Sequence, residues 1–173
     1  IVRGDPSARR RFADQLLVQR APRMSAVLSD YERVLRQRNA LLKSARTHAR
    51  AIDRAASTGA PNTLDIWDEK LISLGSEIID ARIALAEDLR IPLMQAYAAI
   101  AGADHRPQID WVLTVRGNDP EDDEADSAGA TNVPTAEAFR EMLNSRRTAE
   151  LERGLTLVGP HRDDLSLRLR DLP

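Results

Sequence analysis

YERVLRQRNALLKSAR, residues 31–46, is apolar on one side and arginine-rich on the other. Together with its neighbours it places Val27, Tyr31, Val34, Leu35, Leu41, Leu42, Ala45, Ala49 and Ile52 mostly three or four residues apart, which is one stripe down a helix. Such a stripe needs a partner. The next periodic segment supplies it, because Trp67, Leu71, Leu74, Ile78, Ala81, Leu85 and Leu89 alternate steps of four and three in a heptad-like seam. Two helices of similar length joined by a short turn form an antiparallel hairpin.

Pro22 is expected to open the first long helix, which would run to about Ala56 and measure on the order of 50 Å at 1.5 Å per residue. Residues 57–62, STGAPN, form a turn by composition, and the second helix starts near Thr63, with Asp65, Asp68 and Glu69 complementing its dipole. Pro92 predicts a kink or break near Arg90 and Ile91 before the pattern ends at Gly102. Upstream, Asp5-Pro6-Ser7 starts a short helix to about Arg20, with Phe12, Leu16 and Leu17 toward the core. Downstream, Ile109, Trp111, Leu113 and Val115 alternate with Asp110, Val112, Thr114 and Arg116 as in a strand with one buried face. Residues 117–133 are acidic, hold no large apolar side chain before Val133 and lack the ligand spacing of a calcium loop. A third helix is expected over 134–153, with Phe139, Met142 and Leu143 inward and Gly154 at its end. Residues 155–158 and 165–170 read as strands that either pair with each other or join a larger sheet. The fold class is therefore α+β, mainly α.

The 173 residues suffice for one ordinary domain or for part of something larger. The absence of a starting methionine and the unpartnered final strand favour the second. Charged residues at 30% and aromatics at 3% suit an extended helical protein. Without cysteine, neither a disulfide framework nor a thiolate metal site is possible. No apolar run approaches the roughly 20 residues that span a bilayer and no signal peptide is visible, so a cytoplasmic protein is expected. The net charge of −2 conceals an asymmetry: residues 1–54 hold thirteen Arg or Lys against five Asp or Glu, and residues 63–104 hold three against eight. Either the basic half meets a polyanion or the two helices complement each other's charge.

Arg36, Lys43, Arg46, Arg50 and Arg54, spaced by three, four or seven residues, form a row along one face, with Arg33 nearby. Such a row could follow a phosphate backbone without reading sequence. Arg38 lies nearer the apolar stripe and is expected to make a structural ion pair. The densest functional stretch is GPHRDD, residues 159–164. His161, Asp163 and Asp164 are metal-competent, His161 could exchange a proton near neutral pH and Arg162 could hold a phosphate. The plainer alternative is a glycine-proline turn whose aspartates bond the local backbone. His48 and His105 are isolated. There is no G-x-x-x-x-G-K-[ST] phosphate loop, dinucleotide glycine fingerprint, H-E-x-x-H motif or cysteine nucleophile, and so no recognisable catalytic set.

Four segments, in order, resemble the RecF family, bacterial recombination-mediator ATPases related to the SMC and ABC-type proteins. They are GDPSARRRFAD (4–14), DYERVLRQRNALLKSA (30–45), LDIWDEKLI (64–72) and VGPHRDDL (158–165). The resemblance implies a middle piece of such a protein. Residues 1–21 would be a head-proximal helix and 22–106 a helical arm hairpin. Residues 107–154 would hold a strand, an acidic loop and a helix returning to the head, and 155–173 strands of an ABC-type ATPase head. It implies an intact protein that binds ATP and Mg, dimerises head to head and binds DNA at single-strand/double-strand junctions. With RecO and RecR it would help load RecA in gap repair and the SOS response. The DNA-binding candidates are Arg33, Arg36, Lys43, Arg46, Arg50 and Arg54, and the head or dimer-interface candidates are His161, Arg162 and Asp163. The alternative is a helical hairpin that binds a protein partner and no nucleic acid, and a third reading is a metal-dependent hydrolase built on His161, Asp163 and Asp164.

Overall fold

The computed structural model describes residues 5–52, 63–102, 105–118 and 133–170. Asp5 opens helix α1 (Pro6–Arg20) as expected: its Oδ1 accepts from the Ser7 N–H at 2.7 Å, and Pro6 occupies the first turn, where a missing N–H costs nothing. Pro22 does not itself begin the next helix. Residues 22 and 23 form a turn, and α2 runs Met24–Ile52. The expected end of this helix near Ala56 and the turn at 57–62 lie outside the described residues.

Helix α3 (Thr63–Ala101) packs antiparallel to α2. Arg38 meets Asp68 and the Tyr31 ring lies against Gly75, while Arg23, just before α2, pairs with Glu77, so rising numbers on one helix meet falling numbers on the other. Pro92 does not break α3, which is continuous past it. Arg90, Ile91 and Pro92 are exposed, so water can serve the carbonyl that proline leaves without a donor.

Strand β1 (Pro107–Val112) is shorter than the alternating pattern implied. The Thr114 N–H and hydroxyl both donate to Asp163 Oδ1 at 2.8 Å, and the chain leaves the ladder in a 3₁₀ turn, Thr114–Arg116. Val112, expected outward, is buried with Ile109 and Trp111. Helix α4 (Thr135–Arg153) ends at Gly154, whose φ of +69° suits a residue without Cβ. Residues 155–158 are not a strand. The Thr156 N–H donates to Asn39 Oδ1 and the Leu157 N–H to Glu150 Oε1, both at 2.7 Å, so side chains take the donors a neighbouring strand would have used. Strand β2 (Asp164–Leu169) pairs antiparallel with β1, from Pro107 opposite Leu169 to Val112 opposite Asp164.

Two packing centres join these elements. Phe139 of α4, fully buried, fills the space between Gly75 of α3 and Gly159, where a Cβ would come within 2.5 Å and 2.8 Å of its ring. Ala13, Leu85, Ile109, Trp111 and Leu165 close α1 and α3 over the sheet.

Candidate functional site

The buried polar groups set the geometry of the candidate site. Arg38 is 0% exposed inside the helical stripe, as its place there implied. Its guanidinium donates to Asp68 Oδ1 at 2.6 Å, Glu150 Oε2 at 2.6 Å and Thr156 Oγ1 at 2.8 Å, tying α2 to α3, α4 and the segment after α4. Arg147 holds the other oxygen of Asp68 and also meets Asp65. Arg82 is a second such node: it binds Asp14 through two nitrogens at 2.9 and 2.8 Å, donates to the Pro160 carbonyl at 2.7 Å and lies 4.8 Å from the Trp111 ring. Sequence reasoning overlooked Arg82, Asp14 and Glu150. The signal was available for Arg82, which falls between Ile78, Ile79, Leu85 and Ala86 on the apolar face of α3, as Arg38 does on α2.

The 159–164 segment is a turn closed by the Arg162 N–H donating to the Gly159 carbonyl at 2.8 Å. Its aspartates, however, bond distant elements instead of the local backbone. Asp163 points inward and its Oδ1 takes both Thr114 donors, while its Oδ2 is buried without a hydrogen-bond partner. Asp164 points the other way and forms a two-pronged pair with Arg9 at 2.7 and 2.6 Å. Because the two carboxylates diverge, they cannot share one ion, and among the described residues no group of three His, Asp or Glu could hold a metal.

His161 Nδ1 meets the Tyr31 hydroxyl at 2.8 Å and its Nε2 faces the Thr156 carbonyl at 3.3 Å. A neutral ring satisfies both contacts, donating from Nε2 and accepting at Nδ1. Burial lowers its pKa to about 4, with the Arg162, Arg10 and Arg38 charges acting in the same sense against the Thr156 bond. Burial also raises Asp163 to about 6, opposed by its Thr114 bonds, and holds the Tyr31 phenol well above its usual range. At neutral pH His161 is thus a fixed neutral connector and not a proton carrier. His161 and Arg162 face a cleft that Arg10, Arg146 and Arg153 also line.

Arg33, Arg36, Lys43 and Arg46 of the α2 row are exposed. Arg33 pairs with Asp30 and Arg36 lies 3.7 Å from Glu32, both within the same helix. Lys43 has no carboxylate partner among the described residues, and Arg46 Nη1 donates to the Arg153 carbonyl at 3.2 Å. The side chain of Arg50, the side chain of His48 and all of Arg54 lie outside the described residues. The acidic side chains of the first turns of α3 meet α4, through Glu69 with Arg140 and through Asp65 and Asp68 with Arg147, and farther along Glu77 pairs with Arg23 and Asp88 with Arg20. Charge complementarity within the hairpin therefore accounts for Arg38 but not for Lys43 or Arg46.

No family model matches the chain. Over its whole length it is 51% identical to the DNA replication and repair protein RecF of Leifsonia xyli subsp. xyli, 51% to that of Clavibacter sepedonicus and 46% to that of Frankia alni. It spans 43–44% of those relatives' length. Two solved structures of the recombination mediator protein RecF in the RecFOR pathway, one with ATP and one with ATPrS, superpose on 98% of the chain with TM-scores of 0.73 and 0.75. Their identities are 25% and 24%, and the chain covers 40% of each. Over its whole length the chain thus matches a stretch of the RecF proteins that makes up somewhat under half of their length, in sequence and in fold.

Proposed function

We propose that this chain is the arm-bearing part of a RecF-like, ATP-dependent DNA-binding protein acting in recombinational repair of gaps, with RecO and RecR helping to load RecA. The observation that carries this reading is the row on α2, whose exposed Lys43 and Arg46 have no carboxylate partner among the described residues although an acidic helix lies alongside. A row of cations along one helix face follows a phosphate backbone without reading bases. Residues 22–106 then act as an arm and residues 1–21 as a head-proximal helix. The segments 107–154 and 155–173, joined by β1–β2 pairing, form the head side. His161, Arg162 and Asp163 sit at the head or its dimer interface. The DNA is a single-strand/double-strand junction and the setting is cytoplasmic. Among the described residues no helix is long and apolar enough to cross a membrane.

ATP and Mg do not fit the residues present, since the chain has no phosphate loop and the described residues no carboxylate cluster for a cation. We therefore assign their binding to the parts of the relatives that this chain does not span. The reading is tested by replacing Arg36, Lys43, Arg46 and Arg50 with Glu in the intact protein. Duplex affinity should fall and its salt dependence should flatten, and an unchanged affinity and salt slope in a folded variant would take α2 off the DNA surface. A protein-interaction role for the hairpin draws on a different observation, the exposed Ile83, Ile91, Met94 and Ile100 on α3. It would be favoured by the absence of any nucleic-acid affinity at low salt.

A further inference from the structure

Many arginines of this fold are answered by a carboxylate: Arg9, Arg20, Arg38, Arg82, Arg140 and Arg147 each pair with an acidic residue of another element. Arg146, Arg153 and Arg162 are different. All three are exposed, and among the described residues none has a side-chain ion pair or hydrogen bond. They nevertheless come together, lining one cleft of about 710 Å³ with Arg10. Among the described residues the only carboxylate in the lining is Asp5, which caps α1 through Ser7, and Arg10 Nη1 donates to a neutral carbonyl, that of Asp163, at 2.7 Å. Among the described residues, four arginines thus share a cleft with one aspartate that is already engaged. Like charges so gathered repel, and folding alone gives no reason to gather them. Arg153 gains something from the negative end of α4, but Arg146 and Arg162 do not.

The cleft is continuous with the α2 row. Arg46 Nη1 reaches the Arg153 carbonyl, and a Cβ on Gly154 would lie 3.4 Å from Lys43 Cγ and 3.5 Å from Arg46 Cζ, so the two sets of cations meet at the end of α4. Arg146 and Arg153 are two turns apart on one face, about 10 Å along the helix. That equals roughly three phosphate steps of a strand advancing about 3.4 Å each. Resting on the DNA-binding reading of α2, we infer that the arginine cleft holds the sugar-phosphate backbone of the nucleic acid strand that follows α2. The strand turns off the arm at Gly154 and passes over Arg146 and Arg153 toward Arg10 and Arg162. Apart from His161, whose ring nitrogens are engaged, the described lining offers no aromatic ring on which a base could stack, so the strand is held by its backbone.

The test compares two charge-matched triple variants of the intact protein, binding a fluorescent DNA duplex across a salt series. Arg146→Gln/Arg153→Gln/Arg162→Gln should weaken binding at least tenfold at roughly 0.1 M salt and lower the slope of log affinity on log salt by about 2 to 3, near 0.9 for each phosphate no longer neutralised. Its unfolding midpoint should not fall. Arg20→Gln/Arg90→Gln/Arg140→Gln removes the same charge from arginines already paired with carboxylates and should change neither affinity nor slope appreciably. Equal losses in both triples would reduce the effect to net charge and overturn the inference. A lowered midpoint in the cleft triple would make its arginines structural and overturn it as well. Should the α2 charge reversal lose DNA while the cleft triple keeps full affinity, the cleft fails and the α2 reading stands. Should neither lose affinity, the reading itself fails. ATP binding measured in parallel should be the same in both triples, and a loss confined to ATP would assign the cleft to a nucleotide instead.

Discussion

Replacing Arg38 with Met removes the guanidinium that joins α2 to three other parts of the fold. The side chain is 0% exposed, and its partners Asp68 and Glu150 lie 2.6 Å away. Hydrogen bonds to charged groups contribute roughly 1.5–3 kcal/mol each, and removing one member of a buried pair costs about 3–5 kcal/mol because the other charge is left uncompensated. The two carboxylates are not equally exposed to that loss. Asp68 keeps Arg147, whereas Glu150, also 0% exposed, keeps only the Leu157 N–H at 2.7 Å among the described residues. We therefore expect the penalty to centre on Glu150 and to reach about 4 kcal/mol at neutral pH, or roughly a thousandfold in the folded-to-unfolded ratio. Urea denaturation of the Arg38→Met protein measures it. The double variant Arg38→Met/Glu150→Leu should recover a good part of the loss, since an apolar pair of similar volume needs no counter-charge. A cost below about 1 kcal/mol, or a double variant equal to the sum of the two singles, would refute the account of Arg38 as the counter-charge of Glu150.

Acid and glycine substitutions probe the turn at 159–164. Folding holds His161 neutral down to about pH 4, so the unfolded chain takes up a proton below about 6.5 that the fold refuses, and this group's contribution falls with pH across that window. Asp163 runs the other way: the fold keeps its proton up to about pH 6, so its contribution rises as pH drops toward 3.8. Asp163→Asn should expose the His161 slope alone and lose about 3 kcal/mol between pH 6.5 and 4 relative to the parent, while His161→Gln should move in the opposite sense. Parallel stability profiles for the two variants would contradict both assignments. Gly159→Ala places a Cβ 2.7 Å from Tyr31 Oη and 2.8 Å from Phe139 Cζ at a φ of +125°, and should cost about 3 kcal/mol or more. Gly154→Ala, at a helix-end φ of +69° with only ordinary contacts, should cost about 1 kcal/mol. Thermal unfolding separates the two, and equal costs would remove the packing argument at Gly159.

The hairpin was legible because its signal is periodic: a stripe on one helix and a seam on the next leave little freedom in how they pair. The caps at Asp5 and Gly154 were legible because both rest on local backbone chemistry. What escaped depends on partners distant in sequence. Residues 155–158 have strand-like composition, yet their donors are taken by Asn39 and Glu150. The β1 pattern extends to Val115, yet Asp163, some fifty positions later, draws Thr114 out of the ladder. Pro92 predicts a break only if its surroundings are buried, and exposure cannot be read from the proline. At the candidate site the α2 row was visible as spacing. The cleft was not, because Arg10, the Arg146 and Arg153 pair, and Arg162 come from three separate stretches that only the folded chain brings together.

The central claim, that the outer face of α2 follows a phosphate backbone, is tested most directly by the salt dependence of duplex binding in the intact protein before and after Lys43→Gln/Arg46→Gln. These exposed side chains have no carboxylate partner among the described residues, so their removal should leave stability unchanged and lower the slope of log affinity on log salt by about 2. A folded variant with the parent's slope and affinity would contradict the claim and leave the hairpin without a nucleic-acid role.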